Sequence, residues 1–121
     1  MDAVSGLQLP GLLYPAWIAA AAGTVTLPHL DKDNYLNPIG TSIVMLEGEQ
    51  LFMAWEEASP REEACILEEL TGPYPSFTRM LAQPRLTVAV MSAGDVVCMP
   101  AGTMHMVVTS VPKLALSCHH R

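Results

Sequence analysis

At 121 residues the chain is long enough for one hydrophobic core and not for two, so it reads as a single domain over residues 1–121. Half of the residues are hydrophobic and only 15% are charged, which excludes a disordered chain. Twelve acidic residues against six Lys and Arg give a formal net charge of −6 with no basic patch. That balance argues against direct nucleic-acid binding and leaves a protein, a peptide or a small molecule as partner.

The first apolar segment, GLLYPAWIAAAAG at 11–23, has the outline of a secretion-signal core. It lacks a basic leader, Pro15 interrupts it, and about 20 residues are needed to span a bilayer. It is expected to be a core strand over Pro15 to Ala21, with no membrane association. Further strands are expected at Thr24 to Leu27, Thr41 to Glu47, Gln50 to Trp55, Leu86 to Met91, Val96 to Met99, His105 to Thr109 and Lys113 to Cys118. MLEGEQLF has the pattern of a hairpin with Gly48 at its turn, and Gly94-Asp95 marks a second tight turn.

A helical insertion at about 59–83 interrupts the strands. In SPREEACILEEL, Ser59 is the expected N-cap, Pro60 the first helical residue, and Glu62 and Glu63 lie in the first turn. Ala64, Ile66, Leu67 and Leu70 supply its apolar stripe, and Glu62, Glu63, Glu68 and Glu69 a solvated face. Ser76 to Gln83 reads as a second short helix. Eight strands with a helical excursion after the fourth give an all-β fold, a double-stranded β-helix of the jelly-roll or cupin type. Met45, Met53, Met99, Met104 and Met106 read as core filler, and Trp17 and Trp55 as packed aromatics. Cys65, Cys98 and Cys118 are odd in number with no CxxC pair. That fits reduced thiols in a cytoplasmic or nuclear protein.

The chemistry-bearing residues are few. In an extended segment His29 and Asp31 project to one side, with Cα atoms roughly 7 Å apart. An imidazole nitrogen and a carboxylate oxygen suit a divalent first-row metal, and His105, at the start of an apolar strand, offers a third ligand. Two histidines and one carboxylate on one side of an ion leave three positions open. Taken singly, HxD fits a solvated turn equally well, and a histidine among methionines and valines fits a packed core residue. On the last strand Lys113, Ala115, Ser117 and His119 share one face, opposite Leu114, Leu116 and Cys118. Adjacent His119 and His120 point to opposite faces and do not chelate together.

Over Ala19 to His120 the chain resembles the Jumonji C (JmjC) family of the cupin superfamily. GTVTLPHLD looks like that family's first metal motif, GTSIVMLEGEQLFMAW like the hairpin that follows it, and GDVVCMPAGTMHMVVTSVPKLALSCHH like the strands carrying the distal histidine and the close of the barrel. The resemblance implies iron(II) held by His29, Asp31 and His105. It also implies 2-oxoglutarate as cosubstrate, with Thr26 donating to its far carboxylate. The implied activity is oxidative hydroxylation of a protein side chain, or N-methyl demethylation. His119 falls where the family often has a polar pocket residue.

Two departures stand out. Gln50 occupies the position of the family's lysine, which pairs with the far carboxylate, and a neutral amide forfeits charge-assisted pairing. Either cosubstrate binding is weak or another cation substitutes. Lys113 is the candidate cation, and an exposed residue after Pro112 is the competing reading. Fewer than twenty residues precede the first matching strand, where JmjC domains carry a substantial N-terminal segment. Two other functions stay open: a non-catalytic JmjC-like protein-binding module, and a cupin dioxygenase acting on a small molecule without 2-oxoglutarate.

Overall fold

The structure is a computed structural model that describes residues 12–33, 35–56, 59–71, 77–82 and 85–120. Its strands are β1 (Leu12–Ala20), β2 (Val25–His29), β3 (Gly40–Trp55), β4 (Leu86–Ser92), β5 (Val96–Met99) and β6 (Met104–His120), with helices α1 (Pro60–Thr71) and α2 (Phe77–Leu81) between β3 and β4. All of the strand pairs are antiparallel. The first half of β3 lies between β5 and the second half of β6, with β1 beyond. The second half of β3 lies between β4 and the first half of β6, with β2 beyond. Two facing four-stranded layers result, each taking half of β3 and half of β6. This is the double-stranded β-helix of cupin proteins.

All eight expected strand segments exist, but the expected hairpin at MLEGEQLF does not. Residues 40–55 form one bent strand whose halves belong to different layers and do not pair with each other. Register shifts between Met45 and Gln50 take up the bend. Gly48 sits there at φ +84°, and a Cβ would overlap the backbone of Pro112 and Lys113 on β6. A left-handed residue with no room for a side chain has to be glycine. The Gly94-Asp95 turn is present and tied to the bend: Gly94 N–H donates to Met45 C=O at 2.8 Å, and Met45 N–H to Asp95 C=O at 2.9 Å.

The two faces of β3 serve different cores. Phe52 and Ala54 join Ile43, Met45, Met91, Met99, Val107 and Ala115 between the layers. Met53 and Trp55 face outward with Met104 and Met106, where Ile66 of α1 covers them. All five of the expected core methionines are buried. Helix α1 starts at a reciprocal capping box: Glu62 N–H donates to Ser59 Oγ at 3.2 Å, and Ser59 N–H to Glu62 Oε1 at 3.1 Å.

Three finer expectations are corrected. Trp17 is 68% exposed, because its parity on β1 turns it away from the layer interior. Ile66 is buried, but Ala64 and Leu67 are exposed, since one narrow line of α1 suffices to cover the outer sheet face. The acidic face of α1 is partly paired, Glu62 with Arg85 at 3.0 Å and Glu69 with Arg79 at 2.8 Å. The Leu70 side chain and residues 72–76 and 83–84 lie outside the described residues. No described helix is long and apolar enough to cross a membrane.

Candidate metal centre

Strand pairing assembles the site. His29, the last residue of β2, lies directly across from His105 on β6, and their rings come within 4.3 Å, centroid to centroid. Two residues past His29, Asp31 is fixed by its own carbonyl, which accepts a 3.0 Å bond from Ile39 N–H, just before β3. Its Oδ1 then lies 3.3 Å from His29 Nε2, and its Oδ2 lies 3.7 Å from His105 Nε2. One ligand atom from each of the three residues falls within 4.8 Å of the others.

Each imidazole is held in one tautomer by a carbonyl two residues back. His29 Nδ1 is 2.8 Å from Leu27 O, and His105 Nδ1 is 3.0 Å from Thr103 O. A carbonyl only accepts, so both Nδ1 atoms carry hydrogen, and both Nε2 atoms are left to face Asp31. Phe52 stacks on His105 at 5.9 Å and fixes the ring plane.

Burial alone would raise the Asp31 carboxyl, but hydrogen bonds with His29 and Thr41 and the two nearby imidazoles outweigh it and lower it to about 2. The bond to Asp31 raises His29 against the opposing effect of burial. Burial lowers His105. The donor set is thus an ionised carboxylate and two imidazoles, one of them biased neutral. That set fits a divalent first-row ion.

A 160 Å³ cavity adjoins the triad, and all seven residues singled out from the sequence line it: Thr26, His29, Asp31, Gln50, His105, Lys113 and His119. Gln50 is buried and points inward with Phe52 and Ala54, as their shared parity requires. Its Oε1 accepts a hydrogen bond from Lys113 Nζ at 2.5 Å, and its Nε2 rests on Met91 Sδ at 3.3 Å. Lys113 is therefore not a free surface residue: it is half-buried, and burial lowers its pKa.

Thr41 is the residue that sequence reasoning missed. It is 2% exposed, its hydroxyl lies 2.5 Å from Asp31 Oδ2, and His119 Nδ1 is 3.0 Å from the same oxygen. Inward parity with Ile43 and Met45 was readable from the pattern, but its meeting with His119 depends on the β3–β6 register. His120 lies on the opposite face and approaches Ser42 at 3.4 Å, so it is not part of this site.

No family model and no curated protein matches the chain in sequence. Solved structures do match in shape. YcfD, a ribosomal oxygenase from Escherichia coli in complex with cobalt and succinic acid, has a TM-score of 0.61 at 14% identity. The match covers 92% of this chain and 24% of that one. KdgF from Halomonas sp. gives 0.56 at 16%, over 94% and 73%. An oxalate oxidase gives 0.58 at 16%, over 88% and 40%. At such identities the likeness establishes the cupin fold, and the chain spans about a quarter of the ribosomal oxygenase.

Proposed function

We propose that this chain is a JmjC-like, iron(II)- and 2-oxoglutarate-dependent oxygenase acting on a protein or peptide side chain. The observation that carries the reading is the union of two features in one cavity. One is a His29–Asp31–His105 ligand set with both Nε2 atoms turned inward; the other is a half-buried cation at Lys113. Iron(II) held there would supply the redox chemistry that couples 2-oxoglutarate decarboxylation to hydroxylation of a C–H bond. The chain's own residues would bind and orient. His29, Asp31 and His105 would hold the metal, leaving three positions open. Lys113 would receive the far carboxylate of the cosubstrate, with Thr26 as a second donor. An ammonium has three hydrogens, and the bond to Gln50 uses one. Gln50 thus becomes the holder of the cation rather than its replacement.

Cavity size supports a substrate that stays largely outside. At 160 Å³ it is smaller than the usual ligand pocket of roughly 300–1,000 Å³, and suits a small dicarboxylate. His29 also borders a 470 Å³ groove lined by Pro28, Leu30, Ala64, Leu67 and Met104, where an extended segment would lie with one side chain turned to the metal. The ribosomal oxygenase with cobalt and succinic acid offers a parallel in a divalent metal and a four-carbon dicarboxylate.

Anaerobic titration with iron(II), with and without 2-oxoglutarate, tests the reading through the metal-to-ligand charge-transfer absorption. The band should require both additions, and air should then yield succinate. Iron uptake with no band and no succinate would point to a non-catalytic module. Turnover of a small molecule without 2-oxoglutarate would point to another cupin chemistry.

A further inference from the structure

We propose that Thr41 and His119 are a positioning pair that commits Asp31 to bind the metal through a single oxygen. The inference rests on the metal-site reading above and goes beyond it, since neither residue is among the three proposed ligands.

Donor arithmetic fixes the direction of the chain of bonds. A threonine hydroxyl has one hydrogen. Thr41 Oγ1 lies 2.5 Å from Asp31 Oδ2 and 3.0 Å from His119 Nδ1. The ionised carboxylate accepts and cannot donate, so the hydroxyl hydrogen goes to Asp31. Only lone pairs are left for His119, which must bring its own hydrogen on Nδ1. The sequence is His119 Nδ1–H to Thr41 Oγ, then Thr41 O–H to Asp31 Oδ2. Thr41 engages one lone pair of Oδ2, which lies 3.7 Å from His105 Nε2, and leaves Oδ1, 3.3 Å from His29 Nε2, as the oxygen with no hydroxyl partner and the one offered to an ion.

The pair is built into the barrel, not draped on it. Thr41 and His119 are register partners across β3 and β6, and both line the cavity. Strand pairing fixes their Cα positions side by side, and with Thr41 only 2% exposed the hydroxyl is held between His119 and the carboxylate.

Coordination count gives the arrangement its consequence. Two imidazoles and one carboxylate oxygen take three of six positions. A carboxylate free to bind through both oxygens would take a fourth and leave two. Three are needed for a chelating 2-oxo acid together with O₂. Thr41 thereby keeps open the position that the proposed chemistry requires, while the metal itself is still held by the three ligands.

Cobalt(II) alone, titrated into the metal-free full chain and followed by its visible absorption, reads this without turnover. Thr41→Val keeps the shape and removes the hydroxyl. It should weaken cobalt binding by about 10- to 100-fold and alter the band pattern, because the carboxylate is released. Thr41→Ser should restore affinity to within about threefold and recover the wild-type spectrum, which a mere packing role would not require. His119→Gln, whose amide can donate to Thr41, should be milder than His119→Leu. That second pair decides the matter if Thr41→Val fails to fold. Equal affinity and an identical spectrum for wild type and Thr41→Val would overturn the proposal, as would a failure of Thr41→Ser to rescue. If the wild-type chain takes up no cobalt, the metal-site reading falls as well; if it does and Thr41→Val matches it, only the positioning role falls.

Discussion

Replacing Lys113 by Met isolates the cation from everything else at the site. The methionine preserves length and volume but removes the charge that now lies 2.5 Å from Gln50 Oε1. A charge-assisted hydrogen bond to a carboxylate is worth about 1.5–3 kcal/mol, so 2-oxoglutarate should bind roughly 10- to 150-fold more weakly to the iron-loaded variant. Iron(II) affinity itself should change little, since the ligands are untouched. The structure also makes Gln50→Lys informative. It would set a second ammonium beside the first, and two like charges about 4 Å apart repel by roughly 4 kcal/mol at an effective dielectric of about 20. The single substitution should therefore lower stability and fail to improve binding. The exchange Gln50→Lys with Lys113→Gln should recover most of the affinity, because one cation again faces one amide. Charge-transfer titration under anaerobic conditions gives the affinities, and urea unfolding gives the stabilities. An unchanged 2-oxoglutarate affinity in Lys113→Met would refute the placement of the far carboxylate.

Asp31→Ala should abolish iron or cobalt uptake while the circular dichroism spectrum stays unchanged, because the residue serves the site and not either core. Gly48→Ala should cost at least about 2 kcal/mol in urea unfolding, since φ +84° is strained for alanine and its Cβ meets the Pro112 carbonyl. A loss within error would mean that β3 can bend differently. Ser59→Ala should cost about 1 kcal/mol by removing half of the capping box. The Glu62 half depends on pH: bonds from Ser59 hold that carboxyl below its usual 4.5. Its contribution is complete above 4.5 and fades as pH falls through the lowered value, so a Glu62→Gln chain should show a flatter stability profile in that acidic range. Parallel profiles would contradict the cap.

Much of this protein follows from short-range patterning. The period of two along 113–119 already separates Lys113, Ala115, Ser117 and His119 from Leu114, Leu116 and Cys118, because alternate side chains on any strand leave opposite faces. The same parity puts Gln50 with Phe52 and Ala54, and Ser59 with Glu62 announces the start of α1. Three residues of HxD…H type, read with a family resemblance, name the candidate ligands. What parity cannot supply is pairing, which joins residues far apart in the chain. That Gly48 bends one long strand instead of turning a hairpin is decided by Pro112 and Lys113, more than sixty positions away. Lys113 against Gln50, and His119 against Thr41 against Asp31, are products of the β3–β6 register. The exposure of Trp17 depends equally on which side of β1 the layers close. The sequence specifies which groups are present and which way each strand presents them; only the closed barrel decides which groups meet, because hydrogen bonds and ion pairs act over a few ångströms and no local pattern encodes a neighbour from another strand.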